Sequence, residues 1–169
     1  LQHKSQMASF AMQRERLELS RQQAIEQEQI SRERLDISSN YQRWTLGFDY
    51  AGRLLQRQWM REDWAYQDQM RSLQNAWSLE DINEAIRLSS GRERKQLIKQ
   101  RERMLLTQNL EGEQIETSRD RQEQLWARED ERHQKQVEYT ESLIALDERQ
   151  FELSRGQREK LYEMGKEEI

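Results

Sequence analysis

The sequence predicts an all-α protein: long, nearly straight helices forming a coiled-coil-like bundle with mixed 11- and 7-residue periodicity. Three observations predict this. The 169 residues include no proline, so no position is barred from helix. Gln, Glu, Arg, Leu and Lys dominate, and all are good helix formers. Apolar residues recur every eleven positions, with Ile37, Phe48, Trp59 and Met70 on one line and Trp44, Leu55, Tyr66, Trp77 and Leu88 on a second. Eleven residues make three turns at about 3.67 residues per turn, so both lines share a face. Tyr41, Ala51, Leu73 and Ala85 fall at intermediate positions.

Composition excludes an ordinary globular domain. Only 34% of residues are hydrophobic and 36% are charged, whereas globular chains are nearer half apolar. Mean hydropathy is -1.24. Such polarity also marks disordered chains, but five Trp, five Tyr and three Phe at regular spacing favour helix. A single helix of this length would span roughly 250 Å at about 1.5 Å per residue. The net charge of -4 gives no general attraction to nucleic acid or anionic membrane. There is no cysteine, so disulfides and thiolate metal sites are excluded. No apolar run approaches the roughly 20 residues of a membrane span. The chain begins at Leu1 rather than Met, and it is expected to be a segment of a longer protein.

Residues 1–40 form a polar helical segment with a weak seam. Phe10, Leu17 and Ala24 are seven apart, while Leu19, Ile30 and Tyr41 are eleven apart. These are competing phases, so propensity and i,i+4 charge pairs hold this end. Residues 41–88 form the aromatic-rich seam helix. Gly47 and Gly52 interrupt it, each costing roughly 1 kcal/mol relative to Ala. Close approach of a neighbouring backbone would explain them. Residues 89–112 form a Gly-containing connection and charged helix. Ser89-Ser90-Gly91 resembles a helix C-cap, but the following residues are again strong helix formers. A continuous or gently bent helix is the expectation here. A reversal at Gly91, setting Tyr66–Leu88 against Met104–Trp126, is its competitor. Residues 113–169 form a diverged repeat of the seam. Its line runs Met104, Ile115, Trp126, Val137 in elevens, then Val137, Ile144, Phe151 in sevens. Mixed spacing balances left- and right-handed supercoiling.

Two motifs recur in the same order. Trp59-Met60-Arg61-Glu62-Asp63 returns as Trp126-Ala127-Arg128-Glu129-Asp130, and Leu88-Ser89-Ser90-Gly91 returns as Leu153-Ser154-Arg155-Gly156.

No catalytic constellation is legible. His133 lies four residues after Glu129 and three after Asp130, a weak metal pattern better read as a solvated helix face. No Ser has a His placed to form a nucleophile pair with it, and the glycines are isolated rather than phosphate-cradling. Neighbouring carboxylates such as Glu62-Asp63 splay apart on a helix. No catalytic, cofactor-binding or metal residues are assigned. The basic runs Arg92-Glu93-Arg94-Lys95 and Lys99-Gln100-Arg101-Glu102-Arg103 are interrupted by acids and lack interleaved aromatics, so they read as mixed-charge surface rather than a strand-binding groove.

The run Gln56-Arg57-Gln58-Trp59-Met60-Arg61-Glu62-Asp63-Trp64-Ala65-Tyr66-Gln67-Asp68 resembles the Gln/Arg-rich, Trp-containing repeats of phage tail tape measure proteins. Gly91-Arg92-Glu93-Arg94 and Asn109-Leu110-Glu111-Gly112-Glu113-Gln114-Ile115 are similar to further segments of that family. The resemblance covers residues 41–162. It implies a long helical protein inside the tail tube or tip of a virion, made in the host cytoplasm. Its length would set tail length during assembly, and it would leave the tube at DNA ejection. It also implies association of several copies, often three, and contacts with tail-tube or tail-tip proteins. This segment carries neither the membrane-active stretches nor the peptidoglycan-hydrolase domains of some members. A cellular coiled-coil scaffold and a nucleic-acid-binding helical module are the alternatives.

The expected oligomer is a parallel homotrimer, since bulky seam aromatics need more room than a two-stranded zipper offers. Its interface would comprise Ile37, Tyr41, Trp44, Phe48, Leu55, Trp59, Tyr66, Met70, Leu73, Trp77 and Leu88 in the first half. In the second half it would comprise Met104, Ile115, Trp126, Val137, Ile144 and Phe151. No specific nucleic acid and no membrane are expected as partners of this segment.

Overall fold

The computed structural model describes residues 2–168, which form two helices: α1, Gln2–Leu88, and α2, Gly91–Glu168. No strand occurs among the described residues. Local pairs such as Arg32–Asp36 and Gln58–Glu62 reinforce the helices at i,i+4 spacing, each worth a few tenths of a kcal/mol.

The helix does not run through the Ser89–Gly91 segment, contrary to the expectation of a continuous rod. Ile86 O accepts bonds from the Ser89 N–H at 3.3 Å and the Ser89 Oγ at 3.0 Å. That satisfies a carbonyl the terminating helix would otherwise orphan. Gly91 then takes φ +61°, a left-handed conformation that costs other residues about 1–2 kcal/mol. The Leu-Ser-Arg-Gly at 153–156 lies inside α2, so the recurring motif turns the chain only where two serines precede the glycine.

The two helices pack against each other within two compact units. One comprises Leu1–Phe48 with Gln134–Ile169, and the other Asp49–His133. In each the helices run antiparallel. In the first unit Glu18 meets Tyr162, Glu28 meets Arg158, and Arg43 meets Glu141. In the second, Arg57 meets Asp130, Arg61 meets Glu123, Asp68 meets Arg119 and Asn83 meets Arg101.

The seam between the helices is thin. Ile86, Trp126 and Ile144 are the buried hydrophobic residues among those described, beside buried Ser39 and Arg57. On α1 the covered positions again recur in elevens: Leu17, Glu28, Ser39, Tyr50, and Ala24, Leu35, Leu46, Arg57. This is not the aromatic seam but a line displaced from it by two residues. Two residues advance a helix by about 200°, so Trp44 and Leu46, or Phe48 and Tyr50, face opposite ways. No backbone closes on Gly47 or Gly52, and a Cβ at either would find nothing within 4 Å.

Two substitutions check this geometry by urea denaturation. Gly91→Ala forces a side chain into positive φ and is expected to cost about 1–2 kcal/mol. Gly47→Ala adds a methyl in open space within a helix and is expected to gain about 0.5–1 kcal/mol. The opposite order would be incompatible with a turn at Gly91.

Candidate functional site

Arg57 is the most enclosed charged side chain of the second unit, 5% exposed. From α1 it reaches across to two neighbouring carboxylates of α2. Nη1 donates to Asp130 Oδ1 at 2.6 Å, and Nη2 donates to Glu129 Oε2 at 3.0 Å and to the Trp126 carbonyl at 3.3 Å. Tyr50 Oη donates to the same Asp130 oxygen at 2.8 Å. The Tyr50 ring lies flat on His133, with centroids 3.8 Å apart. The Arg57 Nε is buried and makes no hydrogen bond.

Trp126 forms the floor of this cluster. It stacks on Trp64 at 5.4 Å, and the Arg57 and Arg61 guanidinium groups stand 5.7 and 4.9 Å from its ring centre. Arg119 repeats the arrangement on Trp64 at 5.3 Å while gripping Asp68 at 2.7 Å. Cation–π contacts of this kind contribute about 0.5–1 kcal/mol each when exposed and more when desolvated. The first unit uses the same device, with Arg21 over Tyr162 at 4.3 Å and Arg32 over Phe151 at 5.7 Å.

These bonds shift the titration of their members. The bond from Arg57, then that from Tyr50, holds the Asp130 carboxyl below the ordinary range. Arg61 does the same for Glu123, Arg119 for Asp68 and Arg43 for Glu141. The bond to Asp130 pushes the Tyr50 phenol up. Burial works against the Arg57 charge, but the bonds to Asp130 and Glu129 outweigh it and its pKa rises. His133 lies against an aromatic ring, and no group of three metal-ligating side chains occurs among the described residues. No helix among them is long and apolar enough to cross a membrane.

The expected interface residues fall into two sets. Trp126 and Ile144 are buried, and Met104, Ile115, Val137 and Phe151 are half-buried on the face of α2 that meets α1. Met70 is half-buried on α1. Ile37, Tyr41, Trp44, Phe48, Leu55, Trp59, Tyr66, Leu73, Trp77 and Leu88 are exposed. Within the first unit Tyr41, Trp44 and Phe48 stack on one another along the surface, at 6.3 and 5.0 Å. The two Trp-x-Arg-Glu-Asp motifs are not structural equivalents. Trp59 is 58% exposed and Trp126 is 6% exposed, and Arg61 of the first motif stands over Trp126 of the second.

The inward cluster of Tyr50, Arg57, Trp64, Arg119 and His133 was not picked out from sequence. Its one signal was Arg57, eleven residues beyond Leu46 on the Ala24–Leu35 line. No family model, curated protein or solved structure matches this chain.

Arg57→Ala removes a buried cation whose acidic partners are nearly half exposed. Water can reclaim those partners, so the expected cost is about 2 kcal/mol, below the usual figure for a broken buried pair. Arg57→Met keeps the stem's volume and should cost less; equal losses in urea would deny Arg57 a packing role.

The pH dependence has a defined sign. Asp68 and Asp130 start from 3.8, and Glu123 and Glu141 from 4.5, and all four are lowered on folding. Their stabilisation is complete above the unfolded values and is lost as pH falls through the folded ones. The melting temperature is therefore expected to fall below about pH 4.5, and a flat profile from there to acid would contradict these pairings.

Proposed function

We propose that this chain is a structural, non-catalytic segment of a phage tail tape measure protein, acting within the tail tube or tip. It helps set tail length during assembly and leaves at DNA ejection. The observation that carries this reading is the outward aromatic line of α1. A monomer that ended its folding here would leave Trp44 60% and Trp59 58% exposed, along with Ile37, Phe48, Leu55, Tyr66, Trp77 and Leu88 of the same lines. Contiguous exposed apolar surface marks an interaction site. Copies of the same chain are the partners, arranged in parallel as a trimer, with tail-tube or tail-tip proteins around them. The resemblance of residues 41–162 to tape measure repeats supports the phage setting.

The reversal at Gly91 changes how length would be counted. With the chain doubled within each unit, the segment contributes no more than about half of the roughly 250 Å of one extended helix. This economy of reach also favours a second reading, a helical-hairpin scaffold of cellular origin. In-frame deletion of the segment from a full-length phage gene, followed by imaging of virions, tests the choice. Tails shortened by about half the extended length support the doubled tape measure, and tails of unchanged length would sink it.

Association has its own check. Trp59→Ala is expected to weaken self-association, by about 3–5 kcal/mol for a ring fully buried between copies, while helix content is kept. An unchanged sedimentation profile would remove the aromatic line from the interface.

A further inference from the structure

The first unit carries a second apolar line on the opposite edge. On α2, Tyr139, Leu146 and Leu153 follow one another at seven-residue steps, with Leu143 beside them, and all four are exposed. Each of the three lies two residues beyond a covered position, Val137, Ile144 or Phe151. They therefore face about 200° away from α1. The outward line of α1 in this unit is Ile37, Tyr41, Trp44 and Phe48. The Arg43–Glu141 pair, bonded at 2.7 and 2.9 Å, sets Trp44 and Tyr139 at one height on opposite edges.

We propose that the α2 line of one copy seats on the α1 line of the next, so that each hairpin joins two neighbours through different edges. This rests on the self-association read above and specifies its geometry. A contact of α1 with α1 alone would leave Tyr139, Leu146 and Leu153 in water. The edge-to-edge contact covers both lines with one interface. Side chains of this size expose on the order of 100 Å² each, so the two lines together bury nearly the roughly 1,000 Å² that a specific interface needs. The helices of the hairpin are antiparallel, and the proposed contact sets α2 antiparallel to the next copy's α1, so that every copy points the same way. Because the lines stand at one height, the contact needs no axial step, and the rotation between neighbours sets whether the heterologous contact closes into a ring.

The chain has no cysteine, which makes the test direct. Asn40 borders the α1 line and Ser142 borders the α2 line, and both are exposed. Asn40→Cys and Ser142→Cys proteins are treated with a short bis-maleimide, separately and mixed, with sedimentation run in parallel. The mixture should give about tenfold more crosslinked dimer than either protein alone, since docking holds the two thiols at high effective concentration. Equal crosslinking of Asn40→Cys with itself would overturn the edge-to-edge geometry and leave an α1-to-α1 oligomer. Oligomers in sedimentation without any crosslink would also overturn it, while keeping self-association. Monomers throughout would overturn both.

Discussion

The pairing of these helices depends on arginine as well as on a thin apolar seam. Ile86, Trp126 and Ile144 are the buried hydrophobic residues among those described, far too few to hold helices this long by hydrophobic burial alone. Half-buried residues such as Leu35, Leu46, Met104 and Ile115 add to them, and Arg21, Arg32, Arg57, Arg61 and Arg119 contribute further, each with its guanidinium against an aromatic ring of the other helix and a carboxylate beside it. The long stem of arginine lies along the seam while its planar head engages ring and carboxylate together. Lysine, a compact and strongly hydrated point charge, would not reproduce both contacts. The contrast between Arg57→Ala and Arg57→Met bears on this, because it separates the volume of the stem from the bonds of the head.

A polar seam specifies more than it stabilises. Directional bonds such as Arg43–Glu141 and Arg119–Asp68 are satisfied in one axial register and broken by a slip of one turn. A seam of leucines would accept several registers with little difference in energy. Buried polar groups have this registry role in coiled coils at a cost in stability. Here the unbonded Nε of Arg57 is a visible part of that cost.

Helix along nearly the whole chain was legible from the absence of proline and the eleven-residue recurrence. So was the inner line of α2, because Met104, Ile115, Trp126 and Val137 are all apolar. The inner line of α1 was not. Its members include Glu28, Ser39, Tyr50 and Arg57, and hydrophobic periodicity cannot find a seam whose residues are charged. The outward line was louder because Trp44, Phe48, Trp59 and Trp77 are larger and lie two residues out of phase. The reversal at Gly91 showed its ordinary mark, a glycine after a helical run. The strong helix formers beyond it pointed the other way, and propensity alone does not record direction.

On the proposed self-association, the two faces of α1 would divide the work between folding and assembly. Directional polar contacts on the inner face fix which residues of α2 stand opposite which residues of α1. The large, non-directional apolar groups lie outside, where they contribute nothing to that choice. Had Trp44 and Phe48 faced inward, the hairpin would be more stable as a monomer and would have little reason to associate. With them outside, the strongest hydrophobic driving force in the chain becomes available only when a partner covers it. If copies associate as proposed, such a hairpin would draw part of its stability from its neighbours. The proposed role, assembly into a defined structure followed by release, would be served by that division.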